Sequence, residues 1–427
     1  MPINRTIILA DDLTGANDTA IQFVNRGLSA LVITHPERFS LASYKNYEVI
    51  AVSTNSRGMS ADDAYNAVRE TIRKGKTANG DFFYKKIDSV LRGNPGGELA
   101  AVMDEIDISL AIAAPSFPAN QSILAHGKLS SGAGVVDAVQ VFSAGMNRKV
   151  ESIPLEEIRR GEANTVNYIM DRHAGGVSVF LADAVNEADL ELVYRSSMRL
   201  GKPSVLAGAA AFANHIAASM ENSAGKPSRP VDLVALRNNG PSLVIAGTRQ
   251  GETAAQVTTL SRILSIPIIR FKVDWIIEDK ISEAISEAFD EVVWQMRRKQ
   301  DMCIIAVESM FKSAILAGDV ARTETEAECG VISGALGALT RKVLDAFDFS
   351  VMLCTGGDTS LGVCSSLGIA GIQPVAEIYP GIPIGKIIGG PHEGRYIITK
   401  SGRFGNNRSL LEITRYLGIN GNKGETL

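Results

Sequence analysis

The stretch Ile7-Ile8-Leu9-Ala10-Asp11-Asp12-Leu13-Thr14-Gly15-Ala16-Asn17-Asp18 decides the fold of the first half of this chain. A short apolar run ends abruptly in two carboxylates, and a helical pattern begins after a Thr and a Gly. This order predicts a buried strand, a polar turn and a helix N-terminus. In an open α/β sheet such a turn lies at the carboxyl edge of the strands, where ligands bind.

Asp11 and Asp12 are the first candidate site residues. Neighbouring side chains on an extended strand point to opposite faces, so the two carboxylates cannot both face the core. Asp and Thr also commonly cap helices, which offers a purely structural explanation. Because Gly15, Asn17 and Asp18 follow the pair, the stretch is more polar than a cap requires, and we favour a ligand site.

Strand and helix patterns alternate downstream. Apolar residues repeat at helical spacing over 18–26, and Gly27 is well placed to end that helix. Residues 31–33 and 48–52 are typical of strands, so the segment predicts a βαβ unit with a parallel sheet. The second of these strands also ends in a polar turn, 53–58, which places two ligand-capable turns at one edge.

A third strand ends in Lys85-Lys86-Ile87-Asp88, followed by Arg92 and a Gly-rich turn into a helix. Paired cations beside a helix N-terminus suit a carboxylate or phosphate. A solvated lysine pair and a flexible turn are the alternative explanation. The nearby Asp88, Arg92 and three glycines make a binding site the better interpretation.

At 427 residues the chain is too long for one hydrophobic core, so two domains are expected. The pattern breaks over 222–230 and 238–241, which have the Pro, Gly, Ser and Asn content of linkers. We therefore predict an N-terminal domain over 1–225, a linker over 226–239 and a C-terminal domain over 240–427.

Composition excludes several classes of protein. A net charge of -4 gives no sign of a nucleic-acid surface. We expect neither a secretory leader nor a membrane-spanning segment, because Met1 to Arg5 run straight into a strand and no apolar run is long enough to span a bilayer. The four cysteines lack metal spacing and the five histidines are dispersed, so no zinc site is expected. We expect a cytoplasmic protein with reduced thiols.

The second half restarts with an apolar strand, 242–246, followed by a turn that contains Gly247 and Thr248. A helix that begins near Thr253 and includes Gln256 comes next. A strand, a Gly/Thr turn and a helix form a phosphate-binding geometry, although one such turn is a weak signal. It is not a Walker loop, because no Gly-Lys-Ser/Thr follows.

A further apolar strand runs into Thr355-Gly356-Gly357-Asp358, where another helix opens. Two glycines let the backbone approach a phosphate, and the helix N-terminus supplies N–H donors. Asp358 would repel an anion, so a magnesium contact or a general base explains it better than anion binding alone. An Asp N-cap is the competing explanation. The Gly-rich loop that follows 397–400 is a further segment that we expect near a purine or phosphate pocket.

Together these stretches resemble the four-carbon acid sugar kinase family. The matching pieces span nearly the whole chain in the family's order: 10–18, 54–57, 85–94, 115–118, 355–358 and 399–405. The resemblance implies an α/β fold of two domains, each a mainly parallel sheet flanked by helices, with the active site in the interdomain cleft. The N-terminal domain of the family binds a sugar acid and the C-terminal domain binds ATP.

Members of this family phosphorylate threonate, erythronate or 3-oxo-tetronate in bacterial catabolism. The resemblance therefore implies ATP and Mg²⁺, a small sugar acid as partner, and no nucleic acid or membrane. D-threonate is the expected substrate and D-threonate 4-phosphate the product, with D-erythronate and 3-oxo-tetronate as alternatives. The oligomeric state stays open, a homodimer being one alternative.

Site residues carry over motif by motif. The family's sugar-acid contacts match Asp11, Arg57 and the run 85–88, and physical chemistry adds Asp12 and Arg92. A cation (Arg57, Lys85 or Lys86) suits the acid's carboxylate, and carboxylates (Asp11, Asp12 or Asp88) suit its hydroxyls. The family's ATP contacts match the following residues: Thr248, Thr253, Gln256, Thr355, Gly356, Gly357, Asp358, Ser401 and Gly402. Phosphoryl transfer is mainly positioning and charge neutralisation, so Asp358 is expected to deprotonate or orient the attacking hydroxyl.

Two segments depart from the family pattern. The Ser-rich turn after the first strand of the second domain is 247–251 here, and Asn120-Gln121-Ser122 replaces the usual Gly-Arg. These differences leave open the phosphate contacts of the first segment and the substrate contacts of the second.

Three rival functions are weaker. A haloacid dehalogenase-type phosphatase needs Asp-x-Asp, but position 13 is Leu. A dinucleotide-dependent dehydrogenase needs G-x-G-x-x-G after the first strand, and that motif is missing. A non-catalytic sensor of sugar acid and nucleotide would keep the first pocket but has little need of Asp358.

Overall fold

The computed structural model describes residues 5–39, 41–75, 81–224, 240–248, 250–312 and 326–418. The chain divides into two compact units, Met1–Ser228 and Arg229–Leu427. The predicted linker, 226–239, lies outside the described residues, so the predicted domain bounds stay a prediction.

The N-terminal unit alternates strands and helices. Its strands are β1 (Arg5–Ala10), β2 (Ala30–Ile33), β3 (Val49–Ser53), β4 (Asp81–Lys86), β5 (Ala111–Ala114), β6 (Ile123–Ala125), β7 (Lys128–Ser131), β8 (Gly134–Asp137), β9 (Lys149–Ile153), β10 (Val177–Ala182) and β11 (Val205–Gly208). Its α-helices are α1 (Leu13–Val24), α2 (Ala61–Gly75), α3 (Pro95–Glu105), α4 (Ala138–Ala144), α5 (Leu155–Arg159), α6 (Glu162–Ala174), α7 (Glu187–Ser197) and α8 (Ala210–Ala224). Short 3₁₀ turns occupy Pro36–Arg38, Leu41–Tyr44 and Pro118–Asn120.

The main sheet of this unit is parallel, in the strand order β2-β3-β1-β4-β11-β5-β10-β9. At the end of β1, Ala10 lies opposite Ser53 of β3, and Leu9 lies opposite Lys85 of β4. The apolar residues of β1 are fully buried. The carboxyl ends of these strands therefore meet at one edge, which confirms the predicted parallel βαβ arrangement.

Helix α1 begins earlier than the apolar spacing predicts. The prediction placed its start at Asp18, whereas the helix starts at Leu13 with Asp12 as its N-cap. The reason is local, because the Asp12 carboxylate accepts the N–H of Gly15 at 2.8 Å. Asn17 is consequently a buried helix residue whose side-chain amide donates to the carbonyl of Leu13 at 3.1 Å.

A small antiparallel sheet, β6-β7-β8, also belongs to this unit and was not predicted. Its first turn places His126 and Gly127 at positive φ, 51° and 69°. The buried carboxylate of Asp183 accepts both of their backbone N–H groups, at 2.6 and 3.1 Å. Asp183 therefore holds this turn against the end of β10.

The C-terminal unit also combines strands and helices. Its strands are β12 (Ser242–Ala246), β13 (Ile268–Phe271), β14 (Met302–Val307), β15 (Val351–Thr355), β16 (Gly371–Tyr379), β17 (Ile382–Ile388) and β18 (Tyr396–Lys400). Its α-helices are α9 (Gly251–Leu264), α10 (Val273–Ile277), α11 (Ile281–Arg297), α12 (Ser309–Lys312), α13 (Glu326–Ala346), α14 (Gly357–Ser366) and α15 (Ser409–Tyr416).

The strands of this unit lie in the order β13-β14-β12-β15-β18-β17-β16. The first five strands are parallel, and β17 and β16 are antiparallel to their neighbours. Ala246 lies opposite Thr355, and Thr355 lies opposite Lys400, so three strands end side by side. Within the part of the chain that the structure describes, no helix is both long and apolar enough to cross a membrane.

Candidate functional site

Arg57 lies at the centre of a charged cluster at the carboxyl edge of the N-terminal sheet, formed with Asp11, Asp12, Asp88 and Arg92. Its guanidinium donates twice to Asp11, Nε to Oδ2 at 2.7 Å and Nη2 to Oδ1 at 3.0 Å. Nη1 donates to Oδ2 of Asp12 at 2.6 Å, and Nη2 lies 3.4 Å from Oδ1 of Asp88. One guanidinium thus joins the ends of β1, β3 and β4.

Arg92 adds a second cation to this charged cluster. It binds Asp88 in a bidentate pair, Nε to Oδ2 at 3.0 Å and Nη2 to Oδ1 at 2.8 Å. The Asp88 carboxylate also accepts the backbone N–H of Arg92 at 3.1 Å. The Arg92 side chain is 43% exposed, compared with 22% for Arg57, so Arg92 is the cation of the cluster that solvent reaches more readily.

Neighbouring cations keep the carboxylates of Asp12 and Asp88 ionised. Burial by itself would raise the pKa of Asp12, but Arg57 and Lys86 outweigh it, and the pKa lies below its usual value of 3.8. For Asp88, Arg57 and Arg92 likewise overcome burial and lower the pKa. Burial opposes the charge of Arg57, yet the surrounding carboxylates hold its pKa well above the usual value. Asp12, Asp88 and Arg57 therefore stay charged at neutral pH and stabilise one another.

Lys85 is buried beneath this charged cluster. Its ammonium lies 2.7 Å from Oε2 of Glu98, and both side chains are 1% exposed. It also donates to the backbone carbonyls of Lys86 at 2.8 Å and Leu9 at 3.2 Å. Burial outweighs Lys85 in raising the pKa of Glu98 above its usual value, while Ser56 donates to the other carboxylate oxygen at 2.7 Å.

Lys86 and Ile87 occupy different environments. The buried Lys86 ammonium donates to the carbonyl of Ile87 at 2.9 Å. A methyl group placed on Gly15 would lie 3.2 Å from that ammonium, so Lys86 lies against the first turn of α1. Ile87 is buried and its backbone N–H donates to Gly208 at 2.7 Å. Lys86 therefore adds a positive charge to this edge, whereas Ile87 contributes a buried apolar side chain and a backbone hydrogen bond.

A second polar edge lies in the C-terminal unit, where β12 and β18 end. The hydroxyl of Thr253, in the first turn of α9, donates to the carbonyl of Gly402 at 2.7 Å. Gln256 donates through Nε2 to the carbonyl of Phe404 at 3.0 Å. A methyl group on Gly402 would lie 2.7 Å from Oγ1 of Thr248, so a larger residue at position 402 would require Thr248 to move. Arg249 lies outside the described residues.

The third turn of this edge follows β15. Gly356 adopts φ 104° and donates its N–H to the carbonyl of Lys400 at 2.9 Å. Helix α14 begins at Gly357, and Asp358 in its first turn is exposed. A methyl group on Gly356 would lie 3.3 Å from Cβ of Thr248. The three predicted nucleotide segments therefore converge within the C-terminal unit.

Two buried polar atoms at this edge are relevant to the predicted ATP site. Oγ1 of Thr355 and Oε1 of Gln256 are buried and lack a hydrogen-bond partner among the residues described. Buried polar groups are nearly always paired in folded proteins. An oxygen-rich and nitrogen-rich ligand such as a nucleotide triphosphate would supply partners, so these residues fit the predicted ATP site.

Two residues at these edges were missed in the sequence. Glu98 lies in the first turn of α3, and its spacing from Lys85 carries no pairing signal. Lys400 is fully buried, and its ammonium donates to the carbonyl of Ser401 at 2.9 Å. Burial lowers the pKa of Lys400 to about 7 against the opposing effect of Glu252. The sequence did contain a signal for Lys400, because it ends an apolar strand directly before a Gly-rich loop.

The structure thus places the predicted residues in two sets. Asp11, Asp12, Arg57 and the run 85–92 gather at the N-terminal edge. The predicted nucleotide residues gather at the C-terminal edge, with Ser401 next to the buried Lys400. Their roles toward a ligand stay predictions.

Comparison with known proteins agrees with this division. The family model described as a sugar-binding N-terminal domain matches residues 6–216, and the one described as a nucleotide-binding C-terminal domain matches residues 243–410. A Salmonella typhimurium protein of solved structure is similar with a TM-score of 0.74 at 23% identity, covering 96% of this chain and 99% of that one. That likeness supports the fold.

Curated relatives extend over the whole length. A D-threonate kinase of Salmonella typhimurium is 26% identical, covering 97% of this chain and 98% of that protein. A D-erythronate kinase of Heliobacterium modesticaldum is 25% identical, with 97% of both chains covered. A 3-oxo-tetronate kinase of Pseudomonas savastanoi is 25% identical, covering 93% of this chain and 94% of that protein.

Fold, family models and relatives together define a carbohydrate kinase with a sugar-binding and a nucleotide-binding domain. The chain belongs to the four-carbon acid sugar kinase family.

Proposed function

We propose that this chain transfers the γ-phosphate of ATP, with Mg²⁺, to D-threonate and yields D-threonate 4-phosphate. The observation that carries the proposal is the charged cluster of the N-terminal unit, in which carboxylates and guanidinium groups lie within hydrogen-bond distance of one another. A small polyhydroxy acid needs both kinds of group. D-erythronate and 3-oxo-tetronate are the alternative substrates.

The cations of the charged cluster suit the carboxylate of the acid. Arg92 is the more exposed of the two arginines, and a guanidinium binds a carboxylate through paired N–H groups. Asp11 accepts two hydrogen bonds from Arg57. Asp12 and Asp88 are held ionised, and an ionised carboxylate only accepts hydrogen bonds. They therefore suit the hydroxyl groups of the substrate, which donate.

The C-terminal edge suits the nucleotide. Thr248, Gly356 and Gly402 approach one another closely, and the N-termini of α9 and α14 offer backbone N–H groups to phosphate oxygens. Thr355 and Gln256 contribute the buried oxygens that lack partners in the described structure. Mg²⁺ bound to ATP would neutralise charge on the transferred phosphoryl group.

Asp358 is proposed to orient or deprotonate the attacking hydroxyl. Its place in the first turn of α14 is consistent with this role, because the helix N-terminus stabilises a carboxylate there. Asp358→Asn keeps the size of the side chain and removes the base. Turnover should fall by a factor of about 100 or more, the range of general-base contributions, while ATP affinity changes little. Turnover equal to wild type would exclude the role.

The experiment that tests the function is a coupled ADP-release assay with ATP and Mg²⁺ against a panel of tetronates. The panel holds D- and L-threonate, D- and L-erythronate and both enantiomers of 3-oxo-tetronate, with Asp358→Asn as the inactive control. Strong turnover on D-threonate supports the proposal, and preference for another member reassigns the substrate. Silence on all of them with ATP still bound would favour a longer acid or a sensor.

A further inference from the structure

A closed set of hydrogen bonds lies beneath the charged cluster. We call it the strand-end ring; it consists of the side chains of Thr54, Ser56, Lys85 and Glu98 and the carbonyls of Leu9 and Ala10. Lys85 donates to the Leu9 carbonyl at 3.2 Å and pairs with Glu98 at 2.7 Å. Glu98 accepts from Ser56 at 2.7 Å.

The other half of the ring returns to β1. The hydroxyls of Ser56 and Thr54 are 2.7 Å apart, and Thr54 donates through Oγ1 to the carbonyl of Ala10 at 2.9 Å. The ring thus links the ends of β1, β3 and β4 with the first turn of α3. Every member side chain is at most 1% exposed. These side chains are consequently shielded from solvent and from a ligand at the surface.

Lys85 has no remaining donor for a substrate. An ammonium group has three N–H donors. They meet Glu98, the Lys86 carbonyl and the Leu9 carbonyl at 2.7, 2.8 and 3.2 Å. Lys85 therefore differs from Arg92, which is 43% exposed at the same edge. Its contacts are directed into the protein.

In the sequence, members of the strand-end ring directly precede two residues that are proposed to bind the acid. Asp11 follows Ala10, and Arg57 follows Ser56, in the sequence. The backbone N–H of Arg57 also donates to the carbonyl of Asp11 at 3.3 Å. A change in the ring would shift both turns, and with them the bidentate pair of Arg57 and Asp11.

We propose that Glu98, together with Lys85, is a positioning residue of the sugar-acid site, and that Lys85 acts through the strand-end ring instead of touching the substrate. This inference rests on the proposed function, since it assumes that the acid binds at the charged cluster. It assigns a role to Glu98, which no motif in the sequence indicates. It also gives the two neighbouring lysines different roles: Lys85 belongs to the strand-end ring, and Lys86 lies against the first turn of α1.

Stability alone does not account for such a pair. Replacing a buried ion pair by apolar side chains of similar volume is often neutral or stabilising, whereas removing one partner leaves an uncompensated charge. The double variant Lys85→Met/Glu98→Met therefore separates positioning from stability. It is expected to fold with a melting temperature near wild type, yet to lose the ties from Lys85 to β1 and from Glu98 to Ser56.

The first measurement needs no substrate. Hydrogen exchange followed by mass spectrometry on the ligand-free protein reports the order of peptides over 9–13 and 53–58. We expect faster exchange in both peptides of the double variant and unchanged exchange over β10. Ser56→Ala, which keeps the ion pair, should show a smaller change confined to 53–58. Equal exchange in all three proteins would overturn the proposal.

Kinetics with D-threonate as the probe provide the second readout. A displacement of about 1 Å can reduce a rate by a factor of about 100. We expect kcat/KM for the acid to fall by about that factor in the double variant, mostly through KM, with KM for ATP within about twofold of wild type. Ile169→Ala, a buried change on α6, is the control for general destabilisation and should leave KM for the acid unaltered.

The outcomes separate this inference from the function on which it rests. Wild-type acid kinetics in a double variant that folds would refute the positioning role while the kinase function stands. A wild-type protein inactive on all tetronates would refute the proposed function, and hydrogen exchange would still decide whether the ring orders the two turns. A loss of activity equal to that of Ile169→Ala would reduce Glu98 to a structural residue.

Discussion

Arg57→Met removes the guanidinium that joins three carboxylates, and its cost can be worked from the structure. Arg57 makes contacts of 2.7 and 3.0 Å with Asp11, 2.6 Å with Asp12 and 3.4 Å with Asp88. Deleting one partner of a buried ion pair costs about 3–5 kcal/mol. Because the Arg57 side chain is 22% exposed, we expect the lower end, about 3 kcal/mol. That corresponds to a fall in Tm of about 6–12 °C for a unit of this size.

The pH dependence identifies the origin of this loss. The pKa of Asp12 and that of Asp88 are lowered in the folded protein, so the unfolded chain binds more protons at acidic pH. Their contribution to stability is therefore present above the usual value of 3.8 and is lost as pH falls below it. Without Arg57 these carboxylates lose that contribution, so the difference in stability from wild type should stay nearly constant from pH 8 to pH 5 and narrow as the pH falls below 3.8.

Thermal unfolding of wild type, Arg57→Met and Arg57→Lys between pH 2 and pH 8 measures this effect. Lysine keeps the charge but cannot make the bidentate contact, so it should lose less stability than methionine. The matched control is Arg160→Met, because Arg160 is 63% exposed in its pair with Glu157 and should change stability by under about 1 kcal/mol. A gap for Arg57→Met that is absent at pH 7, or independent of pH, would refute the electrostatic account.

Three further predictions concern the nucleotide edge. Burial lowers the pKa of Lys400 to about 7, so above that pH the unfolded chain binds more protons than the folded chain and stability rises with pH. Lys400→Met should therefore be more stable than wild type at pH 7 in thermal melts. This advantage should disappear towards pH 10. Thr355→Val replaces a buried, unpaired hydroxyl, so Tm should stay within about 2 °C while calorimetry shows weaker ATP binding. Gly402→Ala puts a methyl group 2.7 Å from Oγ1 of Thr248, so KM for ATP should rise while KM for the acid stays constant.

The ends of the strands could be predicted because apolar runs stop at charged residues there. The buried strand requires the apolar residues Ile7 to Ala10, and the polar edge of the sheet begins at Asp11, so the sequence marks both. The start of α1 could not be placed as well, since the apolar spacing is apparent only from Asp18 and the polar Asn17 and Asp18 are interpreted as part of a ligand site. They are buried within the helix because Asp12 caps it five residues or more upstream.

Contacts between residues that are distant in the chain could not be predicted from the sequence. Nothing in the spacing of Lys85 and Glu98 indicates that they meet, because their contact depends on how α3 packs on the end of β4. The small sheet β6-β7-β8 was missed for a related reason. Its strands are three or four residues long and partly exposed, so apolar periodicity is weak, and the buried Asp183 that anchors its turn lies more than 50 residues away.

Charge balance at the charged cluster explains how such a site could select a sugar acid. Asp11, Asp12 and Asp88 face Arg57, Arg92 and the nearby Lys86, so the formal charges sum to zero. Net charge therefore contributes little to the binding of an anion. An anion without hydroxyl groups must in addition lie close to carboxylates that repel it. A polyhydroxy acid differs, because its hydroxyls donate to those carboxylates while its carboxylate accepts from a guanidinium. The same six groups that stabilise one another without ligand thus favour an acid that carries both kinds of partner.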